Sequence, residues 1–287
     1  MKSVETSVVY GQSKKMGAYA VASAVNAVAA KGGENIAVSV RIMIPMHAFK
    51  SRINTMEKNI KTICKEKEIH LAEIVSERNP VITQSMVIAN AWAMKECLNV
   101  AEPDSRVKDI VLTKWIGMEG MLRIADEKEE ELRKRFSPGF IKQIHSYESQ
   151  IFALKEIRKA QELGAARIWQ IGAGGILAAL WNVSKETESG LEIDLKKLEV
   201  RQETIEVCEY FRLNPYQLAS AGSMLILADD GEAMAEALRE AGVPATVIGR
   251  LTDNNDKIIR NGEEIRYIDR PAPDEIMKIY GEEETTC

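Results

Sequence analysis

Two glycine turns and one terminal thiol are the parts of this sequence that could do chemistry. The first turn lies in Ile168-Trp169-Gln170-Ile171-Gly172-Ala173-Gly174-Gly175-Ile176-Leu177-Ala178-Ala179-Leu180-Trp181. A short apolar run enters three glycines, and Ile176, Leu177, Leu180 and Trp181 then fall on one helical face. Ser189-Gly190 breaks the chain, and Leu191 to Leu195 alternates as a strand does. A strand, a glycine turn and a helix expose free N–H groups to an anion, and Gly172, Gly174 and Gly175 let it approach the backbone. The spacing is neither GxGxxG nor a Walker loop, so the same glycines also read as a tight turn packing helix on sheet. The second turn is Thr113-Lys114-Trp115-Ile116-Gly117-Met118-Glu119-Gly120. Lys114 beside Gly117 and Gly120 offers positive charge and N–H groups to the same kind of anion, or is a solvated turn residue. The thiol is Cys287, at the end of the acidic run Glu282-Glu283-Glu284.

Metal and disulfide chemistry are not expected. Cys64, Cys97, Cys208 and Cys287 form no CxxC pair, and His47, His70 and His145 lie in separate segments.

The elements that must position these residues follow from periodicity. Ser7 to Tyr10 reads as a strand, and Gly17 to Ala30 as a buried, small-residue helix ended by Gly32-Gly33. Asn26 is the one polar residue inside that helix, either a packing hydrogen bonder or a ligand contact. Ile36 to Ile44 is a strand, and Phe49 to Glu66 is an amphipathic helix with Ile53, Met56, Ile60 and Ile63 inward. Leu71 to Val75 and Val81 to Trp92 are strands on either side of Asn79-Pro80. The polar stretch Leu98 to Lys108 marks a domain boundary. Asp109 to Thr113 is a strand, and a helix starts near Met121. Ala125 to Arg135 is a solvated charged face, and Phe140 to Leu163 is one long helix with an interruption. Beyond the first turn come a helix (Thr204 to Phe211), a strand (Met224 to Ala228), a helix (Gly231 to Ala241) and a strand (Ala245 to Leu251). A hairpin turning at Asn261-Gly262 follows, and Asp274 caps a last short helix.

With 287 residues, 45% of them hydrophobic, the chain can bury a substantial core as one large or two ordinary domains. The net charge of −5 argues against a nucleic-acid or anionic-membrane partner. No apolar run is long enough to cross a bilayer, and the N-terminus lacks a signal peptide's apolar centre, so the cytoplasm is expected.

Read as ordered blocks, the segment from Asp109 to Ile268 resembles the C-terminal domain of the aminoimidazole ribonucleotide synthetase (PurM-like) superfamily, closest to its HypE-like, synthetase-related branch. The second turn is similar to that branch's "TKGAGIEG", and Gly174 to Trp181 to its "EGGILGALWE". Ser220-Ala221-Gly222-Ser223-Met224-Leu225-Ile226 is similar to "SSGALLI", and Val247-Ile248-Gly249-Arg250-Leu251-Thr252 to "VIGRVT". Ala24 to Gly32 resembles the N-terminal domain's "TVNDLAMMG" helix. The resemblance implies an α+β, two-domain fold: residues 1–104 a truncated N-terminal dimerisation domain, residues 105–287 the C-terminal domain. It implies a homodimer whose N-terminal domains share a β-barrel, and Mg–ATP in a cleft near the boundary, phosphorylating an amide-type oxygen.

The departures bear on that chemistry. The family's glycine loop and paired aspartates have no counterpart ahead of Ser7. Ala27 and Gln170 stand where the family carries aspartates, and Leu71 to Val75 lacks its glycine pair. Magnesium needs hard oxygen ligands, and phosphoryl transfer depends on that cation. The expectation is therefore a degraded Mg–ATP site, with Glu73, Glu77 or Glu119 as the alternative carboxylates, and a small anionic ligand or a partner protein in place of turnover. Candidate ligand contacts are Asn26, Lys114, Gly117, Glu119, Gly120, Gly172, Gly174 and Gly175. The competing expectation is an active ATP-dependent maturation enzyme with Cys287 as acceptor, although the family's terminal "PRIC" is replaced by Glu284-Thr285-Thr286-Cys287. A purely structural subunit is a third reading.

Overall fold

A computed structural model describes residues 4–96 and 108–281. Its first half holds β1 (Val4–Gly11), α1 (Met16–Ala30), β2 (Gly33–Pro45), α2 (Lys50–Glu66), β3 (His70–Asn79) and β4 (Ser85–Glu96). The strands form one sheet in the order β1-β4-β2-β3, antiparallel except for the β2–β3 pair. Alternation decides its faces. Val38, Val40, Ile42, Val87, Ala89 and Ala91 are buried against Ala20, Val21, Ala24, Val25 and Val28 of α1. The small side chains of α1 let the helix lie close on the strands, and α2 adds Ile53, Met56 and Ile60. The opposite face is open. Val4 and Met94 are 57% and 55% exposed there, and the register sets Val4 against Trp92 and Val8 against Ile88.

The second half holds β5 (Asp109–Thr113), α3 (Met118–Glu127), α4 (Glu129–Leu132), α5 (Pro138–Ser146), α6 (Leu154–Glu162), β6 (Arg167–Gln170), α7 (Gly175–Thr187) and β7 (Gly190–Asp194). It continues with α8 (Gln202–Phe211), β8 (Met224–Ala228), α9 (Gly231–Glu240), β9 (Ala245–Thr252), the hairpin β10 (Lys257–Asn261) and β11 (Glu264–Tyr267), and α10 (Lys278–Gly281). Seven strands form a mixed sheet in the order β11-β10-β7-β9-β5-β8-β6. Ile110, Leu112, Leu225 and Leu227 face the core shared with α7, whereas Val111, Met224 and Ile226 face the core shared with α3, α6 and the first half. Cover on both faces explains why all of β8 is buried. The fold is thus α+β, as the resemblance implies; the boundary expected at residue 104 lies outside the described residues.

Several local expectations need correction. The strand after Asn79-Pro80 begins at Ser85, not Val81. The helix after Lys114 begins at Met118, because Gly117 turns into it at φ +73°. The charged run is not wholly solvated: the Asp126 side chain is only 6% exposed and contacts the first half. The interruption expected in the long helix is there, and it divides the stretch into α5 and α6 across residues 147–153.

That break is stabilised from outside. Asn26 Nδ2 donates to the Ile151 carbonyl at 2.8 Å, and the Ala153 N–H donates to Asn26 Oδ1 at 2.9 Å. The fully buried amide of α1 therefore satisfies two backbone groups that a helix would have satisfied itself. Replacing Asn26 with Ala should cost about 2–3 kcal/mol, since it orphans a buried donor and acceptor together. Urea unfolding measures this, and an unchanged midpoint would contradict the clamp.

Candidate functional site

The first glycine turn is built for close backbone contact within the chain. Gly174 and Gly175 have φ of +78° and +65°, a region that side chains rarely adopt. A Cβ on Gly175 would lie 2.6 Å from the Tyr216 carbonyl. Gly172 is open, with nothing within 4 Å of a Cβ placed there, and its carbonyl accepts from the Gly175 and Ser220 N–H groups. The anion expected at this helix N-terminus is present as part of the protein. Asp274 Oδ2 accepts from the Gly174 N–H at 2.7 Å, and Oδ1 accepts from the Ile276 N–H at 2.9 Å. The carboxylate thus ties the C-terminal tail to the start of α7, where the helix dipole favours negative charge.

At the second turn, Gly117 and Gly120 pack against the chain itself. A Cβ on Gly120 would lie 2.3 Å from Leu218 Cγ, and one on Gly117 would lie 2.7 Å from Thr204 Cγ2. The Gly117 N–H donates to Ser220 Oγ at 2.6 Å. Lys114 does not face a ligand cleft, contrary to the expectation for it. Its side chain is buried, pairs with buried Glu156, and donates to the carbonyls of Gln150 at 2.6 Å and Gly222 at 3.0 Å. Burial pulls the Lys114 ammonium down from its usual value, and Glu156 opposes that shift. Glu119 is likewise committed, accepting from Arg123 at 3.2 Å and from the Ala221 N–H at 3.2 Å. Burial raises its carboxyl, and Arg123 opposes the rise.

Gln170, where the resemblance implies an aspartate, donates its amide to the Ser23 carbonyl at 2.9 Å and to Ser23 Oγ at 3.1 Å. Glu73 and Glu77 stand on β3, the outer strand of the first sheet. Cys287 lies outside the described residues.

Between the two halves lies a charged cluster that the sequence reading missed. Asp126 accepts from Tyr19 Oη at 2.8 Å, Ser13 Oγ at 3.0 Å and Lys15 Nζ at 3.1 Å. Lys15 also pairs with Glu148, whose carboxylate meets His145 Nδ1 at 2.7 Å. Asp126, His145 and Glu148 offer ligand atoms within 4.8 Å of one another, but the Lys15 ammonium already bonds to both carboxylates. The spacing His145-x-x-Glu148 puts both on successive turns and was legible; the approach of Lys15 and Asp126 was not, because 111 residues separate them. A buried network lies beside this cluster. Arg123 donates to the Tyr10 carbonyl at 3.1 Å, and Tyr280 Oη, with one proton to give, lies within hydrogen-bond reach of the same carbonyl at 3.0 Å and of Glu127 at 3.1 Å.

Two outcomes follow. Changing Lys114 to Met should leave Glu156 buried and unpaired, costing about 3–5 kcal/mol in chemical denaturation; a near-neutral effect would mean the pair is not a structural anchor. Asp274 sets a pH dependence. Burial, the largest influence, raises its carboxyl above the ordinary aspartate value of 3.8, while the Ile276 and Gly174 N–H groups pull it back. The folded state then keeps a proton that the unfolded chain has released, so stability falls as pH climbs through that window and levels off above it. In Asp274→Asn the decline as pH rises above the ordinary aspartate value should be shallower than in the parent. Superimposable pH profiles of the urea midpoint would rule this out.

The geometry can be set beside known proteins. Residues 110–261, more than half of the chain, match the family described as AIR synthase related protein, C-terminal domain. A putative hydrogenase expression/formation protein of Methanocaldococcus jannaschii is 23% identical over 282 residues, spanning 92% of this chain and 78% of that protein. The HypE–HypF complex contains a chain of similar fold, with TM-score 0.72, 19% identity and coverage of 93% of this chain and 90% of that one. The hydrogenase maturation protein HypE in complex with ATP gives TM-score 0.73 at 14% identity, covering 96% of this chain and 88% of that one. At these identities the solved structures show a shared fold, and together with the family match they establish that the chain belongs to the AIR synthase related family, with the PurM-like architecture of HypE.

Proposed function

We propose that this chain is a HypE-like protein whose Mg–ATP chemistry has been lost and which binds a small anionic ligand as a homodimer. One observation carries the reading: both kinds of charge that a metal–nucleotide pair would bring are already supplied within the chain. Asp274 places a carboxylate at the α7 N-terminus, and Lys15 places an ammonium between Asp126 and Glu148. Gln170, where the family has an aspartate, uses its amide on Ser23 and offers no hard anionic oxygen to magnesium. Glu119 is held by Arg123 and Ala221, so it is not free to replace the missing ligands. The fold is that of a protein solved in complex with ATP, but these residues do not fit a cation-dependent phosphoryl transfer.

The homodimer rests on the open face of the first sheet. Val4, Val8 and Met94 are exposed there, and an apolar sheet face left bare calls for a second apolar layer. The same fold in the HypE–HypF complex keeps a protein partner as the second occupant to be tested. No helix among the described residues is long and apolar enough to cross a membrane.

Isothermal titration of the full chain with Mg–ATP should show no binding at micromolar concentrations, and no ATP hydrolysis should accompany it. Micromolar binding with metal-dependent turnover would overturn the loss of chemistry. Sedimentation should give a dimer, and Val8→Glu with Met94→Glu should shift it to monomer; a monomeric parent would remove the dimer from the reading.

A further inference from the structure

We propose that the cavity beside β6 binds a small aromatic molecule carrying a single carboxylate. This gives the anionic-ligand reading above a site and a ligand class, and it rests on that reading. The cavity measures about 830 Å³, inside the range of roughly 300–1,000 Å³ that small-molecule sites occupy. β6 is the last strand of the seven-stranded sheet, so no described strand covers its outer side. Five consecutive residues, 165–169, line the cavity from that strand and its approach. The remaining walls come from the end of α1, the start of β2, α6 and Glu186 of α7. Both halves of the chain therefore build it.

The charges around it do not cancel. Lys31 pairs with Glu5 at 2.7 Å, Glu34 pairs with Lys95 at 2.8 Å, and Glu186 accepts from Trp169 Nε1 at 2.7 Å. The side chains of Arg158, Arg167 and Glu162 make no hydrogen bond or ion pair among the described residues. The unpaired groups on the wall are thus two guanidiniums and one carboxylate, which leaves room for one negative charge. Arg167 is the more telling cation. It is half-buried, its Nε is buried, and no partner meets it. Arginine is seldom buried alone, because its charge then gives up hydration for nothing. Arg123 bonds to Glu119 and Tyr10, and Arg52 bonds to Gly11 and Gln12. Arg167 is held by no such bond, so its fork is free to take both oxygens of a carboxylate.

The same wall carries an aromatic surface. Trp169 stands two residues from Arg167 on β6, so the two side chains leave the same face of the strand. The hydrogen bond to Glu186 fixes the indole, and Ala30, Gly32, Ala165 and Ala166 keep the wall around it small and apolar. A fixed indole beside a free guanidinium suits a flat ring with an acid attached. Ring stacks on ring, and the carboxylate meets the fork. A phosphate ester fits less well. At neutral pH it carries nearly two charges against one surplus cation. Glu34, Glu162 and Glu186 on the same wall would repel the second.

The test is isothermal titration of the full chain with 2-naphthoate at low ionic strength in EDTA, beside 2-naphthyl phosphate, inorganic phosphate, 2-naphthol and acetate. 2-Naphthoate should bind, and the phosphate ester more weakly. 2-Naphthol and acetate should bind at least about tenfold more weakly, since each lacks one half of the recognition. Arg158→Gln and Arg167→Gln should each weaken naphthoate binding by roughly tenfold, the loss of one charge-assisted contact. Trp169→Leu should weaken it by roughly threefold. Lys196→Gln, in a different cavity, should change nothing. Arg158 is exposed, so Arg158→Gln decides the matter if Arg167→Gln fails to fold. Naphthoate binding that is equal in the parent, Arg158→Gln and Arg167→Gln overturns the site but leaves the anionic-ligand reading standing. Tighter binding of the phosphate ester, still dependent on both arginines, overturns the monocarboxylate assignment alone. If naphthoate does not bind while either phosphate does, the whole inference falls and the reading stands. If none of the three anions binds, both fall.

Discussion

The structure turns on a seven-residue break between two helices and on the two side chains that hold it. Residues 147–150 tighten into a 3-10 turn, residues 151–153 leave the helical path, and the carbonyls of Gln150, Ile151 and Phe152 turn to buried donors. Lys114 Nζ donates to the carbonyls of Gln150 and Gly222, while Asn26 donates to the Ile151 carbonyl and accepts from the Ala153 N–H. Neither a buried ammonium nor a buried amide is tolerated without partners, and an irregular buried backbone is not tolerated without donors. The pairing solves both problems together. It also joins the halves, because Asn26 belongs to α1 and Lys114 to the turn after β5. The residues that most invite a ligand-binding interpretation are those that the fold uses to stay assembled.

The same economy governs the charges. Asp274 lies where a helix N-terminus would otherwise draw an anion, and Lys15 lies where two carboxylates would otherwise draw a cation. Arg123, Glu119, Glu127 and Tyr280 form a buried network between them, and burial raises the carboxyls of Glu119, Glu127 and Asp274. An isolated charge in such surroundings would be expensive, so each is met by an opposite charge or by N–H donors. The cavity beside β6 is the exception: Arg158 and Arg167 line it, and no partner among the described residues meets them.

The family relationship places these observations in a common frame. The chain shares the fold of HypE at 14–19% sequence identity, so very different residues fill the same layers. Packing and catalysis make separable demands: the first needs volume and pattern, the second needs a few oxygens at fixed points. Ala27 lies within α1 and Gln170 ends β6, and neither side chain carries the anionic oxygen that a hard cation needs. On the open face of the first sheet, Val4, Val8 and Met94 are exposed and take no part in the core of the described residues.

Much of this was legible in the amino-acid sequence. Periodicity alone placed the strand over Ile36 to Ile44, the inward residues of α2, the glycine turn into α7 and the Asp274 cap, because these depend on neighbours within a few positions. The ordered blocks from Asp109 to Ile268 identified the family for the same reason: local geometry constrains local residue types. What the sequence could not decide were the partners of its polar groups. That Lys114 points inward, that Asp274 supplies the anion at Gly174, and that Lys15 meets Asp126 all depend on contacts across 36 to 111 residues of chain. A charged side chain takes its role from the dielectric and the opposite charge around it, and only the tertiary structure brings those together.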